Sequence, residues 1–162
     1  MRRTLGIAVG VATAAVIAVV AASCGSSTSP ANKQYVANMI GANEGTGRTS
    51  PGSGVVTFVD LGTEIDWTMT LTNITNVTAS HIHLGPATVV GPVIFSLFIP
   101  TRPPETGTLN GVVKQGIITN TTSATISLDS LRVLFNNGNA YANVHTLVNP
   151  GGEIRDQIHL VP

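Results

Sequence analysis

Short segments in which apolar and polar residues alternate recur along the chain, with turn residues between them. The clearest covers residues 64–72, where Ile65, Trp67, Met69 and Leu71 alternate with acidic residues and threonines. Alternation with a period of two places one set of side chains in a core and the other in water. This segment is therefore predicted to be a β-strand with one buried face.

Neighbouring segments extend the β pattern. Residues 53–60 are predicted to pair with this strand as a hairpin, and residues 92–100, which are apolar at both parities, are predicted to be a central strand. Residues 101–111 contain two adjacent prolines, which cannot donate to a ladder, so we expect a loop with at most a short strand at its end. Residues 111–118 offer a further strand.

One segment breaks the β pattern. Four apolar residues recur at helical spacing, and they are Leu128, Leu131, Leu134 and Phe135. Ser127 is suited to the N-cap, Asp129 to the first turn, and Gly138 to the end of a helix. We predict one short helix that covers an end or an edge of the β structure.

The sequence Asn149–Gly152 has strong turn chemistry and predicts a final hairpin between residues 140–146 and 153–160. Its polar side chains share one face, namely Tyr141, Asn143, His145, Glu153, Arg155, Gln157 and His159. A loop symmetric about Asn149 places His145 across from Glu153, and Asn143 across from Arg155. The hairpin is thus predicted to have one apolar and one polar face.

These elements predict the fold class and one domain over residues 35–162. We expect an all-β, Greek-key or immunoglobulin-like β-sandwich of about 7–9 antiparallel strands, with one short helix before the final hairpin. A chain of this length suits a single hydrophobic core.

The N-terminus has the layout of a secretory signal peptide over residues 1–23, because Arg2 and Arg3 precede an apolar run that ends in small residues. The residues before Cys24 resemble the lipobox of bacterial lipoproteins, which implies that Cys24 is acylated. An ordinary signal peptide with a bystander thiol is the alternative. Residues 24–34 are predicted to be the lipidated cysteine and a flexible tether. The predicted location is the cell envelope, with a lipid anchor in the membrane.

The balance of basic and acidic side chains limits the kinds of partner that the protein is expected to bind. Without Arg2 and Arg3, six of the eight Lys and Arg side chains remain against eight Asp and Glu. A nucleic-acid partner is not expected, because binding to phosphate backbones needs clustered basic residues. Cys24 is the single cysteine, so no intramolecular disulfide can form.

Three histidines carry the candidate chemistry. His81 and His83 are one residue apart and share a strand face, and His145 lies on the final hairpin. Together with Asn143, Glu153 and Arg155 they are predicted to form a structural or binding polar cluster without a cofactor. The alternative is a copper or zinc site made of His81, His83, His145 and Glu153.

Longer motifs point to a family. "ASHIHLGP", "GPVIFSL" and "AYANVHTLVNPGGEIRDQI" closely resemble the CHRD domain, a module first described in the extracellular protein chordin and also found in exported bacterial proteins. "IGANEG" and "GVVTF" are similar to earlier segments of the same family. The resemblance covers residues 35–160. It implies an extracellular β module that can bind a protein partner, but the resemblance does not identify that partner, and the growth-factor partner of chordin does not carry over.

The expected function is therefore an exported, lipid-anchored envelope protein whose CHRD-like domain is a binding or structural module. The alternative is a copper- or zinc-binding protein. No enzyme is expected, because no nucleophile lies in a marked turn, and neither a phosphate-binding glycine loop nor a carboxylate pair is evident. A metal-dependent enzyme is the remaining alternative, since an H-x-H strand in a Greek-key sandwich is similar to copper/zinc superoxide dismutases.

Overall fold

The structure is a computed structural model that describes residues 32–44, 48–102, 104–123 and 125–162. Within these ranges the chain forms eight strands, one α-helix and one 3-10 helix. The elements are β1 (Lys33–Ile40), the 3-10 helix (Gly41–Glu44), β2 (Ser53–Asp60), β3 (Ile65–Leu84), β4 (Val93–Phe98), β5 (Glu105–Ile118), α1 (Leu128–Asn136), β6 (Ala140–Thr146), β7 (Ile154–Gln157) and β8 (His159–Leu160).

The predicted signal peptide, Cys24 and most of the predicted tether lie outside the described residues. Strand β1 begins at Lys33, two residues before the predicted start of the domain. Across the described ranges, no helix combines the length and apolar character needed to cross a membrane.

The long strand β3 organises the sheet. It bends at Asn73 and Asn76, which have φ values of 55° and 54°. Asparagine adopts this left-handed conformation more readily than most residues, and the register with β5 shifts at the same place. The part before the bend pairs with β2, the part after it pairs with β4 and β6, and β5 follows β3 across the bend from Ile65 to Val77. The single strand β3 therefore pairs with strands on both sides of its bend.

All strand pairs are antiparallel, and the pairing closes on itself. The path runs from β3 through β2, β1, β7 and β6 back to β3, which makes a closed five-stranded barrel. The all-β prediction with one short helix is confirmed. The prediction of two separate packed sheets is wrong, because Ile40 in β1 pairs with Arg155 in β7 and joins the two halves. The Greek-key arrangement stays a prediction.

The core follows the alternation in the sequence. Ile65, Trp67, Met69 and Leu71 are all buried, as predicted, and β2 pairs with β3 as the predicted hairpin. Helix α1 begins after Ser127, whose side chain accepts a hydrogen bond from the amide of Ser130. This N-cap confirms the predicted start of the helix.

The helix closes one part of the core. The Phe135 ring lies 5.2 Å from the Tyr35 ring and 5.0 Å from the Phe58 ring, measured between centroids. All three side chains are almost fully buried. Arg132 on the same helix forms an ion pair with Asp60 at the end of β2, with 2.8 Å between Nε and Oδ2. Both contacts fix the helix against the barrel.

Three strand predictions need correction. Strand β4 lies at an edge, because it pairs with β3 alone and its Val93 side chain is exposed. Strand β5 already begins at Glu105, inside the predicted loop, since both prolines precede it and its exposed edge position tolerates an irregular ladder. The second strand of the final hairpin divides at Ile158 into β7, which pairs with β6, and β8, which pairs with β1.

Candidate metal centre

The three histidines of interest come together on the outer face of the barrel. His81 and His83 alternate along the last part of β3, and His145 lies opposite Ala79 on the adjacent strand β6. The ring centroids are 5.6 Å apart for His81 and His83, 5.1 Å for His81 and His145, and 6.0 Å for His83 and His145. The predicted shared face is confirmed, and sheet pairing brings in the third ring.

The ring nitrogens are close enough to share one ion. One nitrogen of each histidine lies within 4.8 Å of one nitrogen of each of the others. Two nitrogens bound to one zinc ion at about 2.0–2.1 Å are roughly 3.4 Å apart in tetrahedral geometry. Small rotations of the three rings would therefore bring their nitrogens to the spacing that one bound ion requires.

Backbone carbonyls hold two of the rings in place. The Nδ1 atom of His83 lies 2.8 Å from the carbonyl oxygen of Gly91, and Nδ1 of His145 lies 2.9 Å from that of Pro150. A carbonyl oxygen only accepts, so each Nδ1 carries the proton and donates it. In a neutral imidazole the other nitrogen, Nε2, then keeps its lone pair. This is the arrangement in which metal-binding histidines are oriented in proteins.

Three further ring nitrogens are buried and make no hydrogen bond to any described residue. They are His81 Nδ1, His83 Nε2 and His145 Nε2. A buried polar atom without a partner costs about 1–3 kcal/mol, so three such atoms at one place call for an explanation.

Electrostatics keeps all three rings neutral. Burial, together with the neighbouring His145 and His83, lowers the pKa of His81 to about 4. Burial also lowers the pKa of His83 and of His145, although the carbonyl groups that accept their Nδ1 protons act in the opposite direction. The neutral form is the one that binds metals.

A loop over residues 85–92 covers the site on one side. The Gly91 carbonyl accepts from His83, and the Gly91 amide donates to the Tyr141 hydroxyl over 3.1 Å. The Tyr141 and His83 rings stack with 4.9 Å between centroids. A Cβ atom at Gly91 would lie 1.5 Å from the carbonyl oxygen of Leu84, so only glycine fits. Gly91 therefore couples the loop to the His83 ring.

Glu153, proposed from the sequence as a fourth ligand, lies outside the three-histidine group. Its carboxylate accepts from Ser50 and Thr146 at 2.8 and 2.7 Å, and from the Asn149 amide at 2.9 Å. Burial acts to raise the pKa of Glu153, but these hydrogen bonds outweigh it and the pKa is lowered. The carboxylate thus stabilises the turn at residues 149–152.

Asn143 and Arg155 lie opposite each other on β6 and β7, in the predicted register. Arg155 is 3% exposed, its guanidinium carbon lies 3.5 Å from the Tyr141 ring centroid, and it donates to the Val89 carbonyl. It therefore secures the covering loop. The Asn143 side chain is also buried, and its Oδ1 atom makes no hydrogen bond to the described residues.

Sequence reasoning missed two residues that shape this region. Gly91 opens the family-like segment GPVIFSL, but nothing in the sequence indicated its close approach to Leu84. Glu44 ends the 3-10 helix, and its carboxylate lies against Gly152, whose φ of 127° excludes most side chains. Burial raises the pKa of Glu44, against the lowering effect of Arg155 and Arg48. Gly152, in the predicted turn, was the one feature of the sequence that could have indicated this contact, because glycine marks a backbone conformation that other residues avoid.

Comparison with known proteins agrees with the sequence motifs. The model of the CHRD domain family matches residues 35–158, which include every strand from β2 to β7 and all three histidines. No curated protein and no solved structure matches the chain. Since the match covers most of the sequence, the chain belongs to the CHRD domain family.

Proposed function

We propose that this protein is an exported, lipid-anchored envelope protein whose CHRD domain is a binding module that holds a divalent transition-metal ion. The observation that carries the metal is the group of three buried imidazole nitrogens that lack a hydrogen-bond donor. Zinc and copper are the ions of choice, because imidazole nitrogen suits both. The role is binding rather than catalysis.

A purely structural hydrogen-bond network explains less of the geometry. Such a network needs N–H or O–H donors for the inward nitrogens, and neither charged residue of the predicted cluster supplies one, since a carboxylate only accepts. Arg155 donates to the loop carbonyls and Gln157, and Glu153 accepts from the turn and Ser50. A cation would satisfy the lone pairs of His83 Nε2 and His145 Nε2, and that of His81 Nδ1 in the tautomer with the proton on Nε2. The Nδ1 contacts already orient two of the rings for it.

The metal proposal is tested on the full chain, purified in detergent and freed of metal with a chelator. After incubation with zinc or copper and removal of excess ion, we expect one bound ion per chain by elemental analysis. The His83→Ala, His145→Ala double variant should bind none. His159→Ala is the matched control, because His159 is exposed and belongs to β8. Equal metal content in the double variant and the wild type would contradict the site.

Support for the lipid anchor comes from the N-terminal sequence. A cysteine with several acyl chains gives stable membrane attachment, which a single chain does not. The intact mass of membrane-extracted protein should show an acylated chain that begins at Cys24. The Cys24→Ser variant should carry no lipid, whether its chain is released or stays unprocessed. An unmodified mature chain in the medium would refute the anchor and leave the metal proposal untouched.

A further inference from the structure

A fourth buried acceptor lies beside the three histidines. Asn143 pairs with His81 across β3 and β6, and it is 2% exposed. Its Oδ1 atom has no hydrogen-bond partner among the described residues. The face of the sheet that carries the three histidines therefore also carries a buried amide oxygen.

The relation between Asn143 and His83 is the informative one. The Asn143 side chain lies within hydrogen-bonding reach of the His83 ring, and a hydrogen bond between them acts to raise the pKa of His83. However, the proton of neutral His83 is on Nδ1, where Gly91 accepts it, so Nε2 has no hydrogen to give. An amide oxygen and an imidazole lone pair in one small space are both acceptors. Without an electropositive atom between them, the arrangement is unfavourable.

We infer that Asn143 supplies the fourth ligand of the metal site through Oδ1, which makes a set of three imidazole nitrogens and one amide oxygen. This inference rests on the proposed metal-binding function. A site with four protein ligands is closed, as in structural zinc sites, whereas catalytic sites keep one position for water. The site should therefore retain its ion and not activate water. A hard oxygen ligand also favours zinc over monovalent copper, which prefers sulfur.

The competing arrangement has the Asn143 amide turned over, so that Nδ2 donates to Nε2 of His83. Oxygen and nitrogen of an amide exchange places on such a rotation. The two arrangements differ in what they need from residue 143. A metal ligand needs an oxygen with a lone pair, whereas the structural alternative needs an N–H donor.

Two variants of Asn143 separate these arrangements in the full chain. Asn143→Asp keeps the oxygen, adds a negative charge and removes the donor, whereas Asn143→Leu keeps the approximate volume and removes both. Zinc affinity is measured by competition with a chromophoric chelator, and Co²⁺ serves as a spectroscopic substitute for zinc. We expect Asn143→Asp to bind zinc at least as tightly as the wild type. Asn143→Leu should lose about 10- to 100-fold in affinity, as metal-site substitutions commonly do.

The visible cobalt spectrum should also change in Asn143→Leu, because water or an open position would replace the amide oxygen. Wild-type affinity and an unchanged cobalt spectrum in Asn143→Leu would overturn the assignment of Asn143. Equal loss of affinity in Asn143→Asp and Asn143→Leu would overturn it too, because it would identify the N–H as the group required. A wild-type chain that binds neither zinc nor cobalt would instead refute the proposed function itself.

Folding is checked by circular dichroism of each metal-free variant, and Asn143→Ala replaces the leucine variant if leucine prevents folding. A readout on the wild type needs no variant. Zinc should shift the side-chain amide resonances of Asn143 more than those of exposed asparagines such as Asn73. Unshifted Asn143 resonances in the zinc-saturated protein would contradict coordination.

Discussion

The Nδ1 atom of His83 donates its proton to the carbonyl oxygen of Gly91 over 2.8 Å. This contact decides which nitrogen of His83 is left to bind an ion, because a neutral imidazole carries one proton. The same glycine donates its amide to Tyr141, on which the His83 ring stacks. The chemistry of the ring thus depends on the position of a loop.

Substitution of Gly91 should therefore weaken metal binding without removing a ligand. In Gly91→Ala the new methyl group would collide with the Leu84 carbonyl, so the loop must move and the His83 ring loses its acceptor. We expect zinc affinity to fall by about 10- to 100-fold, measured by chelator competition. Gly151→Ala is the control, because a Cβ atom there has no neighbour within 4 Å. Unchanged affinity in Gly91→Ala would show that the carbonyl does not orient the ring.

Metal-free protein should lose stability on mild acidification. The folded-state pKa of His81 is about 4, below the ordinary 6.5, so the unfolded chain binds more protons between these values. Stability from this group is complete above about pH 6.5 and is lost as the pH falls towards 4. His83 and His145 act in the same direction.

Urea unfolding of chelator-treated protein at pH 7 and pH 5 measures this effect. We expect the midpoint to be lower at pH 5, and the difference to shrink in His81→Gln. The exposed His159→Gln variant should retain the wild-type difference. Equal midpoints at the two pH values in the wild type would show that the histidines titrate normally.

The ion pair between Asp60 and Arg132 should contribute stability at neutral pH. The hydrogen bonds from Arg132 lower the pKa of Asp60 below its ordinary 3.8. We expect Asp60→Asn to cost about 1.5–3 kcal/mol of unfolding free energy at pH 7, as for other hydrogen bonds to charged groups. A carboxylate with a lowered pKa stabilises above its unfolded pKa, so this cost should diminish below about pH 3.8.

Asp129 provides the control for that measurement. It also contacts Arg132, but its side chain is 93% exposed, and exposed pairs contribute little. Asp129→Asn should therefore leave the unfolding free energy nearly unchanged. A loss as large as that of Asp60→Asn would mean that the helix depends on the exposed pair instead.

Helix α1 should stabilise the domain through Phe135. Its ring is 1% exposed and contacts the rings of Tyr35 and Phe58. Phe135→Ala should lower the unfolding free energy by about 3–5 kcal/mol, because it removes buried apolar surface and leaves a cavity. Val133→Ala, on the exposed side of the same helix, should change it by no more than about 0.5 kcal/mol. Similar losses in both variants would contradict the packing role of Phe135.

Local sequence patterns predicted the local structure well. Alternation placed His81 and His83 on one face, and the turn chemistry of residues 149–152 predicted the register that pairs Asn143 with Arg155. The Ser127 cap and the apolar spacing after it predicted α1. Each of these features depends on neighbours in sequence or on one tight turn.

Long-range features were harder to predict. The pairing of Ile40 with Arg155 closes the barrel, and nothing in either segment specifies its partner. The direction of the Glu153 side chain depends on Ser50, which comes from a distant loop. The role of Gly91 depends on the close approach of the Leu84 carbonyl, which only the folded chain reveals.

The placement of the histidines on β3 and β6 also has a consequence for the order of events in the cell. Strands β4 and β5 and helix α1 lie between β3 and β6 in the sequence, so His145 joins His81 and His83 only through long-range strand pairing. A newly made, unfolded chain therefore offers an incoming ion only the two nearby imidazoles of His81 and His83, and long-range strand pairing is a slow step. If the proposed function is correct, the ion would bind tightly only after β6 has paired with β3, so a metal-bound site would indicate that the domain has folded.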